Sequence, residues 1–308
     1  MTVHKNLLTA IIRFLLIKDS RSFPPQHSPH MTGTLPPIAP AATTGYSAAD
    51  RIFFDNNGYL VLPNFLAPDH VARLVAALER TAVRRREAVR TNAKQTGFTQ
   101  VTGDSTRYFY ILDDDPLFLE LLDWPALMPY VHGLLNAKPH HHGSDGIIDF
   151  GRDFMTRHGG WHLDGHDEGY RGLGWPIPHL QLKIGYYLSD MTQPGNGNLL
   201  IVPGSHKAIN PPSLADMSRP DHMPGELQIC APAGTAILFH NALWHTAAPF
   251  ASPAHGRKML YYAFEHPWMV ASQEHWGYTK EFYNQRLSPA QRKLFHGWVF
   301  DPPEQRWG

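Results

Sequence analysis

His162 and Asp164 are two residues apart in the run Trp161-His162-Leu163-Asp164-Gly165-His166. In an extended chain such residues point to the same face, so an imidazole and a carboxylate can aim at one point. That is two thirds of a facial triad, the ligand set that holds non-haem Fe(II) and leaves positions open for oxygen and a co-substrate. The pair alone has a plain alternative, a loop histidine capped by a neighbouring acid, and a chain with 20 histidines supplies such pairs by chance.

A third candidate ligand comes from the run Thr235 to Thr246, which reads as a strand leading into His245. Arg257 follows and opens another strand, Arg257-Lys258-Met259-Leu260-Tyr261-Tyr262-Ala263-Phe264. If the two strands are antiparallel neighbours, His245 and Arg257 lie close together. A fixed guanidinium beside an open metal site suits a dicarboxylate co-substrate, because arginine grips a carboxylate through two parallel N–H bonds. Lys258 is the adjacent rival, and strand alternation lets only one of the two face the site. Gln181 and Lys183 alternate with Leu180, Leu182 and Ile184 and so share one face. Placed inside a barrel, they join Arg257 as candidate contacts to the co-substrate or substrate. Trp161, Tyr170, Trp175 and Trp244 are candidates to line the entrance.

These pieces occur in an order that resembles the phytanoyl-CoA dioxygenase-like Fe(II)/2-oxoglutarate-dependent oxygenases. The likeness runs from about Ser47 to Phe264. It includes Phe54, Gly58-Tyr59-Leu60-Val61-Leu62-Pro63 and Phe65-Leu66 at the start, the H-x-D pair, and Leu188-Ser189-Asp190. Asn198 to Lys207, with its P-G-S-H ending, then Gly234-Thr235-Ala236, Trp244-His245 and the arginine complete it. The run Pro194-Gly195-Asn196-Gly197-Asn198 departs from the family's usual turn. The resemblance implies that His162, Asp164 and His245 ligate Fe(II) and that Arg257 binds the distal carboxylate of 2-oxoglutarate, with O2 as oxidant. It implies a double-stranded β-helix (jelly roll) and a small-molecule substrate.

The elements that must position these residues are legible as patterns. A short helix is expected over Ser47–Asn57, stopped by Gly58, then a strand Tyr59–Leu62. Val71, Leu74, Val75, Leu78 and Ala82 recur at helical spacing after Pro68, with Arg84 to Arg90 as a solvated end. Phe109–Leu112 reads as a strand, and Pro116–Leu135 as a helix broken by Pro125 and Pro129. From Ile147 to about Trp268, β-branched and aromatic runs alternate with turn residues, the clearest being Leu180–Leu188, Leu199–Val202, Leu227–Cys230, Thr235–Phe239 and Met259–Phe264. A last helix is expected at Pro289–Phe295. The pattern is mainly β with a helical buttress: a flexible or disordered lead over 1–45 with a proline-rich linker, then one jelly-roll oxygenase domain over 46–308.

Composition narrows the function further. The 308 residues carry 27 basic and 27 acidic side chains, so no field advertises nucleic acid or an anionic membrane. Leu7–Ile17 is too short to span a bilayer and contains Arg13. The single cysteine, Cys230, excludes an internal disulfide framework and fits a reducing cytoplasm. Oligomeric state leaves no mark. His140-His141-His142 reads as a polar loop, His166 with Asp167 and Glu168 as a loop after the H-x-D pair, His206 as structural, His240 as facing away from the site, and Cys230 as a buried strand residue. The alternatives are a jelly-roll isomerase or epimerase, a halogenase, which Asp164 argues against, and a non-catalytic binding module, whose mark would be a lost ligand.

Overall fold

The structure, a computed structural model, describes residues 45–91, 93, 97–102, 105–135, 138–149, 160–164, 170, 172–209, 223–248, 250, 256–269 and 278–295. The expected lead and linker, and His166, Asp167 and Glu168, lie outside the described residues. In chain order the elements are α1 (Ala48–Asn57), β1 (Tyr59–Leu62), α2 (Pro68–Thr91), β2 (Thr99–Thr102), β3 (Ser105–Phe109), α3 (Pro116–Glu120), α4 (Met128–Leu135), β4 (His140–Asp149), β5 (Gln181–Tyr187), β6 (Leu199–Ile201), β7 (Leu227–Gln228), β8 (Ala236–His240), β9 (His245–Ala247), β10 (Arg257–Glu265) and α5 (Pro289–Arg292).

Local chemistry sets the boundaries. Ser47 and Asp50 form a capping box at the start of α1, and Gly58 ends it at φ 81°. A Cβ at Gly58 would stand 2.5 Å from His206 Nδ1, so the stop also seats that buried imidazole. Pro116 sits in the first turn of α3, capped by Asp115. The helix expected over Pro116–Leu135 is indeed broken, with Pro125 between α3 and α4.

Seven strands form one antiparallel sheet in the order β1-β8-β5-β10-β4-β3-β2, and three form a second in the order β7-β6-β9. Alternation gives the large sheet two different faces. Leu60, Leu182, Ile184, Leu238, Leu260, Tyr262 and Phe264 turn outward and pack with Leu74 and Leu78 of α2, Phe118 of α3 and Leu134 of α4. Tyr59, Val61, Tyr187, Ile237, Phe239 and Met259 turn inward and pack with Leu199 and Ile201 of the small sheet. Each such burial contributes roughly 1.5–3 kcal/mol. The result is a jelly roll with a helical buttress. Among the described residues no helix is long and apolar enough to cross a membrane.

Five local expectations need correction. Cys230, expected as a buried strand residue, lies beyond β7 and is only half-buried. The strand expected at Phe109–Leu112 lies earlier, at Ser105–Phe109; Tyr110 turns at φ 60° and Ile111–Asp113 is a tight 3-10 turn that buries Ile111 and Leu112. His140–His142 opens β4 rather than forming a loop, because β10 supplies ladder partners for His140 and His141. The expected solvated end of α2 contains Arg85, only 1% exposed, which donates to the carbonyls of Phe98, Phe109 and Tyr110 and pairs with Asp114. Finally, β9 pairs with β6 while β10 pairs with β4 and β5, so His245 and Arg257 line one cavity from different sheets rather than standing on neighbouring strands.

Candidate metal centre and its cavity

The H-x-D segment lies beside β9. His162 and His245 exchange both backbone hydrogen bonds, at 3.0 and 3.1 Å, and the Asp164 N–H donates to the Asn241 carbonyl at 2.9 Å. Asn241 is fully buried, and its side-chain Oδ1 accepts from the N–H groups of Leu180 and Gln181. One asparagine thus ties the start of β5 to the turn that carries Asp164. This register sets the two imidazoles side by side, with ring centroids 4.2 Å apart.

One ligand atom from each of His162, Asp164 and His245 lies within 4.8 Å of the others. The donor chemistry fits a divalent metal. His245 donates through Nδ1 to the Leu243 carbonyl at 2.8 Å, and His162 through Nδ1 to Gly160 at 3.1 Å. A carbonyl can only accept, so each Nε2 keeps its lone pair, which is the way a ligating histidine is normally oriented. His245 Nε2 faces Asp164 Oδ2 at 3.7 Å. Burial alone would raise the Asp164 carboxyl, but Lys183, His245, His162 and Arg107 outweigh it and hold it at about 2. Burial, helped by His162, pushes His245 down to about 4. A charged carboxylate beside a neutral imidazole is the state a metal requires.

The three side chains line a cavity of about 540 Å3 between the sheets. Arg257 lines it too and is 5% exposed. Its Nε and Nη2 donate to Asp149 Oδ2 at 2.8 and 2.5 Å, and its Nη1 donates to the Gly197 carbonyl at 2.6 Å. Gly197 belongs to the turn that departs from the family's usual pattern. A Cβ there would come within 3.2 Å of Arg257 Cδ, so the turn needs glycine for close approach as well as for its φ of 73°. Lys258 points the other way, to Glu79 on α2 at 3.0 Å.

Residues 54–259 match the family profile described as phytanoyl-CoA dioxygenase (PhyH). The chain belongs to the phytanoyl-CoA dioxygenase family. It is an Fe(II)- and 2-oxoglutarate-dependent dioxygenase, with O2 as the oxidant. The ectoine dioxygenase of Stutzerimonas stutzeri (strain A1501) is similar to this family member at 26% identity over 234 residues, covering 69% of this chain and 74% of that protein. Two solved structures share the fold. HygX from Streptomyces hygroscopicus, with nickel, 2-oxoglutarate and hygromycin B bound, aligns at TM-score 0.56 and 21% identity, covering 73% of this chain and 89% of that one. The α-ketoglutarate-dependent epimerase SnoN from nogalamycin biosynthesis aligns at TM-score 0.51 and 14% identity, covering 70% and 79%.

The other anticipated residues of this dioxygenase divide. Lys183 lines the cavity, 3.9 Å from Asp164 Oδ1. Gln181 is fully buried and bonded through Nε2 to Tyr170 and His142. Trp161, Trp175 and Trp244 join Leu163, Ile177 and Leu200 in an apolar cluster, Tyr170 packs against it, and none of the four aromatics is among the described lining residues. His206 is buried and bonded to the Asp55 carbonyl, while His240 stacks on His179. Sequence reasoning missed Asp149, Asp145, Arg107 and Tyr261. The sign of Asp149 was an acid closing the apolar run Ile147-Ile148, where burial demands a partner.

Proposed function

We propose that His162, Asp164 and His245 hold the Fe(II), that Arg257 receives the far carboxylate of 2-oxoglutarate, and that the enzyme hydroxylates a C–H bond of a small-molecule substrate in the cytoplasm. The single observation that carries this reading is a two-histidine, one-carboxylate set converging within 4.8 Å in a cavity that Arg257 also lines. When bound, iron and co-substrate supply the oxidising power, with 2-oxoglutarate leaving as succinate and CO2.

The chain's own contribution is orientation. Leu243 and Gly160 fix which ring nitrogen of each histidine is free. Among the described residues, Asp149 and Gly197 take three of the five guanidinium N–H groups of Arg257 and leave two for a carboxylate. The guanidinium is therefore already aimed before the co-substrate arrives, which spares the ordering cost of binding. A cytoplasmic location rests on the single cysteine, and the charge balance argues for a small molecule over nucleic acid.

The test is anaerobic binding of Fe(II) and 2-oxoglutarate, followed by a metabolite screen scored by succinate release. Iron-dependent succinate formation is expected; absence of both binding and turnover would refute the reading. Fold likeness to SnoN favours one alternative, epimerisation at the same centre. Product mass separates the two, since hydroxylation adds an oxygen atom and epimerisation leaves the mass unchanged.

A further inference from the structure

Along the inner face of the large sheet, one rung differs from its neighbours. Ala263 of β10 stands opposite Gly143 of β4 on one side and Lys183 of β5 on the other. Two adjacent strands therefore offer nothing larger than a methyl group, followed by a lysine. All three residues line the cavity. The register shifts at Ala263/Phe264, leaving His142 without a ladder partner, and it too lines the cavity. The rung bounds a depression: Tyr261 and Asp145 stand two residues along on one side, and the His142–Glu265 pair on the other.

The acids around this depression each have one partner, while Asp145 Oδ1 and Glu265 Oε1 keep none among the described residues. Arg107 Nη2 pairs with Asp145 at 2.6 Å, and His142 Nδ1 meets Glu265 at 2.6 Å. The ammonium of Lys183, on a side chain 18% exposed, has Asp164 Oδ1 at 3.9 Å, beyond hydrogen-bond reach, as its acidic neighbour. Once Asp164 is committed to the metal, as the functional reading requires, that ammonium needs another anion. A partly buried cation facing an open space without an acceptor is costly. The polar rim also disfavours an extended apolar chain over the floor.

We infer that the depression over Gly143 and Ala263 is the substrate compartment, and that Lys183 receives a carboxylate of a small polar substrate. The inference rests on the functional reading above and adds to it the substrate class. Lys183 is thereby assigned to the substrate, leaving the co-substrate to Arg257.

The experiment uses the full chain loaded with Fe(II) and 2-oxoglutarate. Small amino and hydroxy acids are compared with their own primary amides, by substrate-stimulated succinate release. The acids should be preferred over the matched amides by at least roughly tenfold in kcat/KM, the size expected for a charge-assisted contact. In Lys183→Met that acid-to-amide ratio should collapse towards unity through a higher KM for the acid, and Lys183→Arg should restore most of it. Ala263→Leu should raise KM for the acid while anaerobic 2-oxoglutarate affinity stays within about twofold. Equal use of acids and amides, an unchanged ratio in Lys183→Met, or no stimulation by any acid while substrate-independent succinate release persists would overturn the inference. Failure of the wild type to bind iron and 2-oxoglutarate at all would instead remove the functional reading beneath it.

Discussion

Asp149 and Arg257 stand directly opposite each other in the β4–β10 ladder, and the Asp149 carboxylate takes both Nε and Nη2 of the guanidinium. Asp149 is fully buried, and its other oxygen accepts from Ser105, its ladder partner on β3. One rung across three strands thus fixes the arginine. Removing one member of a buried pair leaves an uncompensated charge, so Asp149→Ala should cost about 3–5 kcal/mol of stability. Urea unfolding of both proteins measures this, and a loss below about 1 kcal/mol would show that the pair is not a structural unit.

Arg257 and Lys258 should differ sharply. Arg257→Ala should raise the 2-oxoglutarate requirement by at least roughly tenfold, from loss of a charge-assisted contact, whereas Lys258→Ala should change it little. Lys258 lies on the opposite face with Glu79. Anaerobic 2-oxoglutarate titration of the folded variants decides the matter, and a crippled Lys258→Ala would contradict the assignment.

Asp164→Gly removes the one carboxylate of the set and opens a coordination position. Iron should bind more weakly, with substrate oxidation falling steeply. Unchanged hydroxylation would mean that another acid is the ligand.

Acid should unfold this protein early. Burial holds His141 at about 3 and His179 at about 4, and, with His179 and His206 alongside, keeps His240 well below the ordinary histidine range. Their unfolded values lie near 6.5, so below that pH the unfolded chain binds more protons than the folded one. Stability is complete above about pH 6.5 and falls towards pH 4, by up to about 1.4 kcal/mol per pH unit for each histidine. Urea midpoints at about pH 7 and pH 5 test this; equal midpoints would contradict it.

Much of the architecture was legible because it repeats with a period. The apolar spacing of α2 and the alternation in β5, β8 and β10 are written in neighbouring residues. The metal-ligand candidates were legible because His162 and Asp164 are two apart and His245 ends a strand-like run. What stayed hidden depends on distant partners. Arg85 looks solvated within Arg84-Arg85-Arg86, and only the loops of Phe98, Phe109 and Tyr110 bury it. His140–His142 looks polar until β10 pairs with His140 and His141. His245 and Arg257 suggested neighbouring strands, because the sequence does not reveal that β9 joins the other sheet.

The convergence of His162, Asp164 and His245 is tested most directly by anaerobic Fe(II) titration of the wild type against His162→Ala and His245→Ala, with circular dichroism confirming the fold. Expected is a single tight site in the wild type, which gains a charge-transfer absorption when 2-oxoglutarate is added. Both should be lost in either variant while the circular dichroism stays native. Wild-type affinity and absorption retained in either variant would contradict the assignment of the metal centre.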